Sequence, residues 1–498
     1  MTSEVDRITR EIFQLQSLQP HQQLIIADVL KQHDLLVVSP TGSGKSLCYQ
    51  IPGIILPGTF VIISPLIALM TEQVCHLKKL GIAAECFHSG LDKTTQQSII
   101  SQLKDQQLKI FYVSPERVVQ SYFLHQLKSI LLSGFAIDEA HCILHWGQDF
   151  RPGYEQLTQL KKHFPTIPVM ALTATATPKQ QDEIIEQLQL NAKKHIHSAY
   201  KANIDYQVIS TEDLRTSLKN ILQRHPMQSG IVYCSSRQRV EHIYYYLQKT
   251  NIPVTYYHAG LESGQREAQQ KQFYQQPDGV MVATMAFGMG VDKKNIRFII
   301  HQDLPGRLDQ YVQESGRAGR DGEPATSYIL YHPELFFQFN LWRIGKAKTT
   351  IQQELIEELR MVAQTVSLND CFKKTIFYYF EHITIPPCGT CHACLKGITE
   401  FNDDALKLLS CIYRMKNHAD WDNVVDVLLG VLSPKTKNFH QLSTFGIGYS
   451  QGKWYWYHLL CQIFAKNWIS LRIDTISKWH ITQQGFQFIK DHKNQMVT

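Results

Sequence analysis

Short apolar runs recur through the first two hundred residues, at positions 35–39, 59–64, 109–113, 134–137 and 169–173, with stretches between them long enough for a crossover helix. Runs that are apolar at nearly every position predict strands buried on both faces, as in a parallel sheet. The layout predicts a doubly wound α/β domain over residues 1–200. A second alternation starts near Gly230, with strand candidates at 230–234, 254–258, 279–283, 298–301 and 326–330 and helical patterns at 238–248 and 265–274. It predicts a second parallel-sheet domain over 201–340. From Phe401 the rhythm changes. Helical stretches at 404–416 and 454–467 precede alternating Ile469, Leu471 and Ile473 and a further strand around Trp479 and Ile481. Helices followed by a hairpin predict a winged-helix domain over 403–498, with a helical module at 341–402 between it and the second sheet.

In such sheets ligands sit beyond the carboxyl ends of the strands, and the polar motifs of the first half fall there. The stretch 37–46, VVSPTGSGKS, passes from a strand into a Gly-bearing turn and then a helical pattern. Gly42 and Gly44 let the N–H groups of the turn, from Thr41 and Ser43 onward, point into one anion-binding concavity, to which the helix adds its positive end. Lys45 then reaches the β/γ-phosphates of a nucleotide, and the Ser46 hydroxyl sits on Mg²⁺. The strict pattern places Gly where this chain has Ser39, so a purely structural turn stays open until a partner is found. The partner lies at 135–141, FAIDEAH, a short apolar strand ending in two carboxylates. Asp138 suits Mg²⁺ held through water, and Glu139 suits orienting and deprotonating the attacking water. The second alternation has no phosphate loop and ends in QESGRAGRDG, with Arg317 and Arg320 three apart beside glycines. A lone Arg pair is usually a surface salt-bridge element. Facing a nucleotide, the same fork stabilises transition-state charge, on the order of a thousand-fold in rate.

A chain of 498 residues implies three or four domains. Its net charge is +6, and residues 401–498 hold 11 Lys and Arg against 7 Asp and Glu, so the basic excess is concentrated where the winged helix is expected. A polyanion partner and a solvated basic face are both open on charge alone. No apolar run reaches the roughly 18 residues of a membrane span, and the acidic, interrupted N-terminus is unlike a secretory leader. Eleven cysteines without such a leader read as reduced thiols, which places the protein in the cytoplasm. Seven are scattered. The other four are Cys371, at the head of an apolar helical run, and Cys388, Cys391 and Cys394 in PPCGTCHAC. Two Cys-x-x-Cys steps on a Pro/Gly turn plus a distant thiolate make a closed tetrahedral Zn²⁺ site. A redox pair and a ligand swap to His392 are the rival readings.

The motifs TGSGKS, SPLIAL, the Asp-Glu-Ala-His box, LTATAT, VYCSSR, YHAG, ATMAFGMGVD and QESGRAGRDG stand in the order and approximate spacing of a superfamily-two helicase. The stretch CILHWGQDFRPGY after the box resembles the aromatic-rich loop of RecQ-type DNA helicases. The resemblance covers almost the whole chain. It implies two RecA-like domains, a zinc module and a winged helix, with ATP hydrolysed between the RecA-like domains. It also implies translocation from 3′ to 5′ on single-stranded DNA, and duplex DNA separated at the winged helix in recombination and repair. Trp146, Phe150 and Arg151 would lie between the strand and the nucleotide, in keeping with an aromatic platform for base stacking; burial in the core is the other reading. The resemblance assigns Gln22 to the adenine edge, although Leu18, Gln19 and His21 depart from the family's usual pattern and Leu15 replaces a common aromatic. His141 would couple the domains, Arg320 would be the finger with Arg317 beside it, and 288–292 a coupling loop. Ser64, Pro65, Ser235, Arg237, His258 and Thr284 are candidates for strand contact through phosphates, as a sequence-indifferent motor requires. The aromatic run 454–457 is expected to be mostly core, and the extra helical domain of many relatives is expected to be absent. A monomer is expected, with a single-strand-binding protein contact through the winged helix and nucleoid association in a bacterium. Against this stand an RNA helicase or remodeler, and a DNA-binding scaffold with a decayed ATPase.

Overall fold

The computed structural model describes residues 2–144, 153–250, 252–287, 293–368, 370–396, 403–472 and 478–495. The chain forms two compact units, the first built mainly from Met1–Lys201 and the second from most of the remainder.

The first unit holds seven strands: β1 (Asp34–Val38), β2 (Thr59–Ile63), β3 (Ala84–Phe87), β4 (Ile110–Val113), β5 (Leu132–Ile137), β6 (Val169–Thr173) and β7 (Ala192–Ile196). They lie in the order β3-β4-β2-β5-β6-β1-β7, every neighbouring pair parallel. Side chains of a strand alternate between faces, and here both faces are covered. Leu35 and Val37 enter one core with Phe60, Ile62, Tyr112 and Met170, while Leu36 and Val38 enter the other with Val61, Ile63, Phe111 and Phe135. That is why the central strands read as continuous apolar runs. Each such side chain, once buried, contributes about 1.5–3 kcal/mol.

The second unit repeats the plan with six parallel strands: β8 (Ile204–Ser210), β9 (Ser229–Tyr233), β10 (Val254–Tyr257), β11 (Val280–Ala283), β12 (Ile296–His301) and β13 (Ala325–Tyr331). Their order is β10-β11-β9-β12-β13-β8. The alternation thus begins at β8, about twenty-six residues before the start expected near Gly230. β3 and β7 were not among the expected strands either. β8 and β7 are edge strands that carry Asp205 and Gln207, and exposed Lys193 and Lys194, a usual protection of an open edge that erases the apolar signature.

The rest of this unit is helical, with the long helix Thr349–Ser367, then Phe372–Glu381. The helices Asp403–Met415, Asn423–Leu429 and Lys453–Ala465 lead into an antiparallel hairpin of β14 (Ile469–Leu471) and β15 (Trp479–Ile481). Leu408, Ile412, Val424, Leu428, Leu460, Ile463 and Trp479 are buried together in that module. In the aromatic run Trp456 and Tyr457 are buried and Trp454 and Tyr455 half-buried, in line with a mostly structural role. Among the described residues no helix is long and apolar enough to cross a membrane.

Candidate active site

β6 lies between β1 and β5, so the turns that follow these three strands are neighbours. The turn after β1 carries Gly42 at φ +82° and Gly44 at φ +74°, backbone angles that disfavour a side chain. A Cβ on Gly44 would come within 2.4 Å of Gln22 Nε2. Gln22 is buried and fastened at both ends of its amide: Oε1 accepts from the Gln19 N–H at 2.9 Å, and Nε2 donates to the Ser43 carbonyl at 3.0 Å. His21 Nε2 lies 3.3 Å from the same carbonyl. Lys45 Nζ donates to the carbonyls of Ser39, 2.6 Å, and Pro40, 3.2 Å, and the Ser39 hydroxyl donates to that of Ser43 at 2.8 Å. Ser39 therefore serves as a brace across the turn, the position at which the strict motif carries Gly. Ser46 precedes the helix Leu47–Ile55.

Asp138 leaves β5 with its N–H bonded to the Ile63 carbonyl, 2.9 Å, and the next residue turns sharply. Glu139 is left-handed, φ +50°, and its N–H caps Asp138 Oδ1 at 3.0 Å. Burial pushes the Asp138 carboxyl well above the ordinary range; the Glu139 charge adds to the rise and Lys45 opposes it. A buried carboxylate short of positive charge is suited to a divalent cation, which supplies that charge. His141 Nδ1 stands 2.9 Å from Thr173 Oγ1, at the end of β6, and 3.4 Å from Glu139 Oε2, so the box and the LTATAT segment are joined through one imidazole. Tyr154 was not singled out from the sequence: its buried hydroxyl donates to the Asp138 carbonyl at 2.7 Å. Its sole sequence signal is that it ends the aromatic-rich stretch. Trp146, Phe150 and Arg151 lie outside the described residues. Ser64, at the end of β2, is buried, and its hydroxyl has no partner among the described residues.

In the second unit the carboxyl ends of the strands hold paired side chains. After β9, Ser235 donates from both N–H and hydroxyl to Asp303 Oδ2, each 2.9 Å, and Arg239 Nε reaches the same oxygen at 3.0 Å. After β10, His258 is buried, accepts from the Gly260 N–H at 3.2 Å and faces Glu241 at 3.2 Å, with Arg237 packed beside Gly260. The Thr284 N–H bonds to the Tyr257 carbonyl, 3.1 Å. After β12, His301 and Glu314 form a buried pair, 2.9 Å. Arg317 is buried against the Tyr233 hydroxyl, while Arg320 is half-buried. The two arginines are thus unlike in setting. The segment 288–292 lies outside the described residues.

The ligand atoms of Cys371, Cys388, Cys391 and Cys394 all lie within 4.8 Å of one another. Sγ separations of 3.5 Å (Cys391–Cys394) and 3.9 Å (Cys388–Cys394) match the roughly 3.8 Å edge of a tetrahedron of sulfurs 2.3 Å from Zn²⁺. Burial works against ionising Cys388, yet the N–H groups of Thr390 and Cys391 and the Thr390 hydroxyl hold its thiol below the ordinary range. The donor set fits zinc, and no disulfide competes for it among the described cysteines.

A parallel-sheet unit with a phosphate turn and an Asp-Glu-Ala-His box, followed by a second such unit ending in two arginines, defines a superfamily-two helicase. Residues 19–184 match the DEAD/DEAH box helicase family, 213–322 the helicase conserved C-terminal domain and 396–498 the RQC domain. The chain is 38% identical over 472 residues to the ATP-dependent DNA helicase RecQ of Pasteurella multocida, covering 94% of this chain and 75% of that one. It is 37% identical over 417 residues to RecQ of Bacillus subtilis, covering 82% and 70%. The chain belongs to the RecQ family, and it is an ATP-dependent DNA helicase. Among solved structures, the helicase MrfA bound to DNA superposes with a TM-score of 0.58 at 17% identity, over 74% of this chain and 55% of that one. Mss116 bound to single-stranded RNA gives 0.57 at 19%, over 73% and 88%. These two likenesses concern the fold alone.

Proposed function

We propose that the chain moves from 3′ to 5′ on single-stranded DNA, separates duplex DNA at its winged helix, and serves recombination and repair as a monomer. The observation that carries the site assignment is the convergence of Lys45, Asp138, Glu139 and His141 on the ends of three adjacent strands. The turn Thr41–Gly44 cradles the phosphates of ATP, and Gln22, held by the Ser43 carbonyl, reads the adenine edge. Lys45 exchanges its two carbonyl partners for the β/γ-phosphates. Ser46 and Asp138 would hold Mg²⁺, which when bound supplies positive charge at those phosphates. Glu139 orients the attacking water and takes its proton. Arg320, the less buried arginine, provides charge stabilisation, and Arg317 holds the shape of its turn. Trp146, Phe150 and Arg151, with Ser64, Arg237, His258 and Thr284, contact the single strand. Cys371, Cys388, Cys391 and Cys394 would hold a structural Zn²⁺.

The domain limits 1–200, 201–340, 341–402 and 403–498 are part of the same reading, as are a single-strand-binding protein docked on the winged helix and work in the cytoplasm at the nucleoid. The test is the steady-state ATPase rate without nucleic acid, with single-stranded DNA and with RNA, followed by unwinding of duplexes with 3′ or 5′ tails. Stimulation by DNA and unwinding of the 3′-tailed duplex alone is the expected result. Equal stimulation by RNA, or unwinding from the 5′ tail, overturns it.

A further inference from the structure

The helix Thr349–Ser367 carries two buried charged side chains two positions apart, Glu358 and Arg360. Positions two apart on a helix point about 200° from one another, so these two reach opposite ways. Glu358 Oε1 lies 3.3 Å from Arg307 Nη2. Arg307 is clasped by Asp309, Nη2 to Oδ2 at 2.7 Å and Nε to Oδ1 at 3.1 Å. Together they form the head of the helix Leu308–Ser315, whose far end passes through Glu314 into the turn of Arg317 and Arg320. On the other side Arg360 donates to the carbonyls of Phe464 and Ile469, the latter at 3.1 Å, and to Ser470 Oγ at 3.0 Å, with its guanidinium carbon 4.5 Å from the Phe464 ring centroid. These acceptors are the last turn of the helix Lys453–Ala465 and the first residues of β14, the seam where the winged module passes from helix to hairpin. Gln364 to the Ala465 carbonyl and Gln462 to the Ser367 carbonyl, both 3.1 Å, extend the same seam.

Packing alone does not require charges here, because apolar side chains of similar volume would avoid the desolvation cost. What the charges add is direction: a planar fork on three acceptors of the winged module, with its Nε held by Glu357 Oε2 of the same helix at 3.2 Å, fixes an angle that an aliphatic contact leaves loose. The helix between them is rigid over one turn.

We propose that Glu358 and Arg360 are positioning residues that act as one strut, through which duplex engaged at the winged module sets the placement of the Arg317–Arg320 turn. The proposal rests on the assignment of Arg320 to the nucleotide. Its test uses the full zinc-loaded chain with Glu358→Gln, Arg360→Gln, Arg360→Lys and the double Gln variant. Four quantities are read: single-strand-stimulated kcat, base pairs unwound per ATP, zinc content and melting temperature. Each single variant is expected to keep kcat within about twofold and to lose about tenfold in base pairs per ATP, with the double no worse than the poorer single. Arg360→Lys keeps the charge without the fork and gives the same readout if Arg360→Gln does not fold. Proportional losses in kcat and unwinding, or an additive double variant, overturn the strut. Wild-type hydrolysis in Arg320→Ala would instead overturn the arginine assignment and leave the coupling ratio of the strut variants unchanged.

Discussion

The two parallel sheets share a plan and differ in what their strand ends do with charge. At the first, the glycine-bearing turn with Lys45 and a buried Asp138, whose carboxyl burial and Glu139 push up, gather groups of both signs at one strand edge, which suits a polyphosphate and its cation. At the second, Asp303 has Arg239 and Ser235, Glu314 has His301, and His258 has Glu241, so these carboxylates are paired within the unit. The frame is common; one copy is built to receive a ligand and the other to hold a shape in which Arg320 stands at the margin. Function on a repeated fold therefore follows the side chains placed at the strand ends, not the fold.

The widest test of that contrast breaks the four-cysteine cluster in the unit of the second sheet, the proposed zinc site. Cys391→Ser is expected to lose zinc, measured by atomic absorption, and solubility with it, since such sites are worth on the order of 10 kcal/mol. A folded, metal-free variant would refute the structural centre. Next in size, Lys45→Ala and Glu139→Gln are each expected to lower the DNA-stimulated ATPase rate by about a thousand-fold or more, with little change in melting temperature. Activity surviving both would move the site elsewhere. Arg320→Ala and Arg317→Ala should then part company. The first is expected to lose about a thousand-fold in kcat with its fold intact. The second strips the Tyr233 hydroxyl of its donor and costs about 1–3 kcal/mol in a denaturant titration. The smallest effect concerns Asp138. Folded, it keeps its proton to higher pH than in the unfolded chain, so stability is lost as pH rises from about 4 through the folded value. Asp138→Asn, which has no charge to bury, should melt about 2–4 °C above the parent at pH 8 and level with it at pH 4.

The sequence announces what is buried on both sides or locally unusual. β1, β2, β5 and β6 are central strands with apolar residues on both faces, and the phosphate turn, the carboxylate pair and the four cysteines are short-range patterns. The strands it hides, β3, β7 and β8, are three of the four sheet edges, where one flank meets water and Glu85, Lys193, Lys194, Asp205 and Gln207 break the apolar run. Long-range polar contacts leave no local trace. Tyr154 lies 16 residues from Asp138, and Arg360 lies 104 from Phe464; neither side chain differs in sequence context from an ordinary surface polar residue. The unlike burial of Arg317 and Arg320 is equally invisible in the motif they share.

The left-handed backbone of Glu139 sets protein engineering against turnover. A residue with a β-carbon is held there at a cost of about 1–2 kcal/mol that glycine would not incur. A screen for heat resistance that ignored turnover would therefore favour Glu139→Gly, and the sturdiest survivors would have lost the carboxylate proposed to activate water.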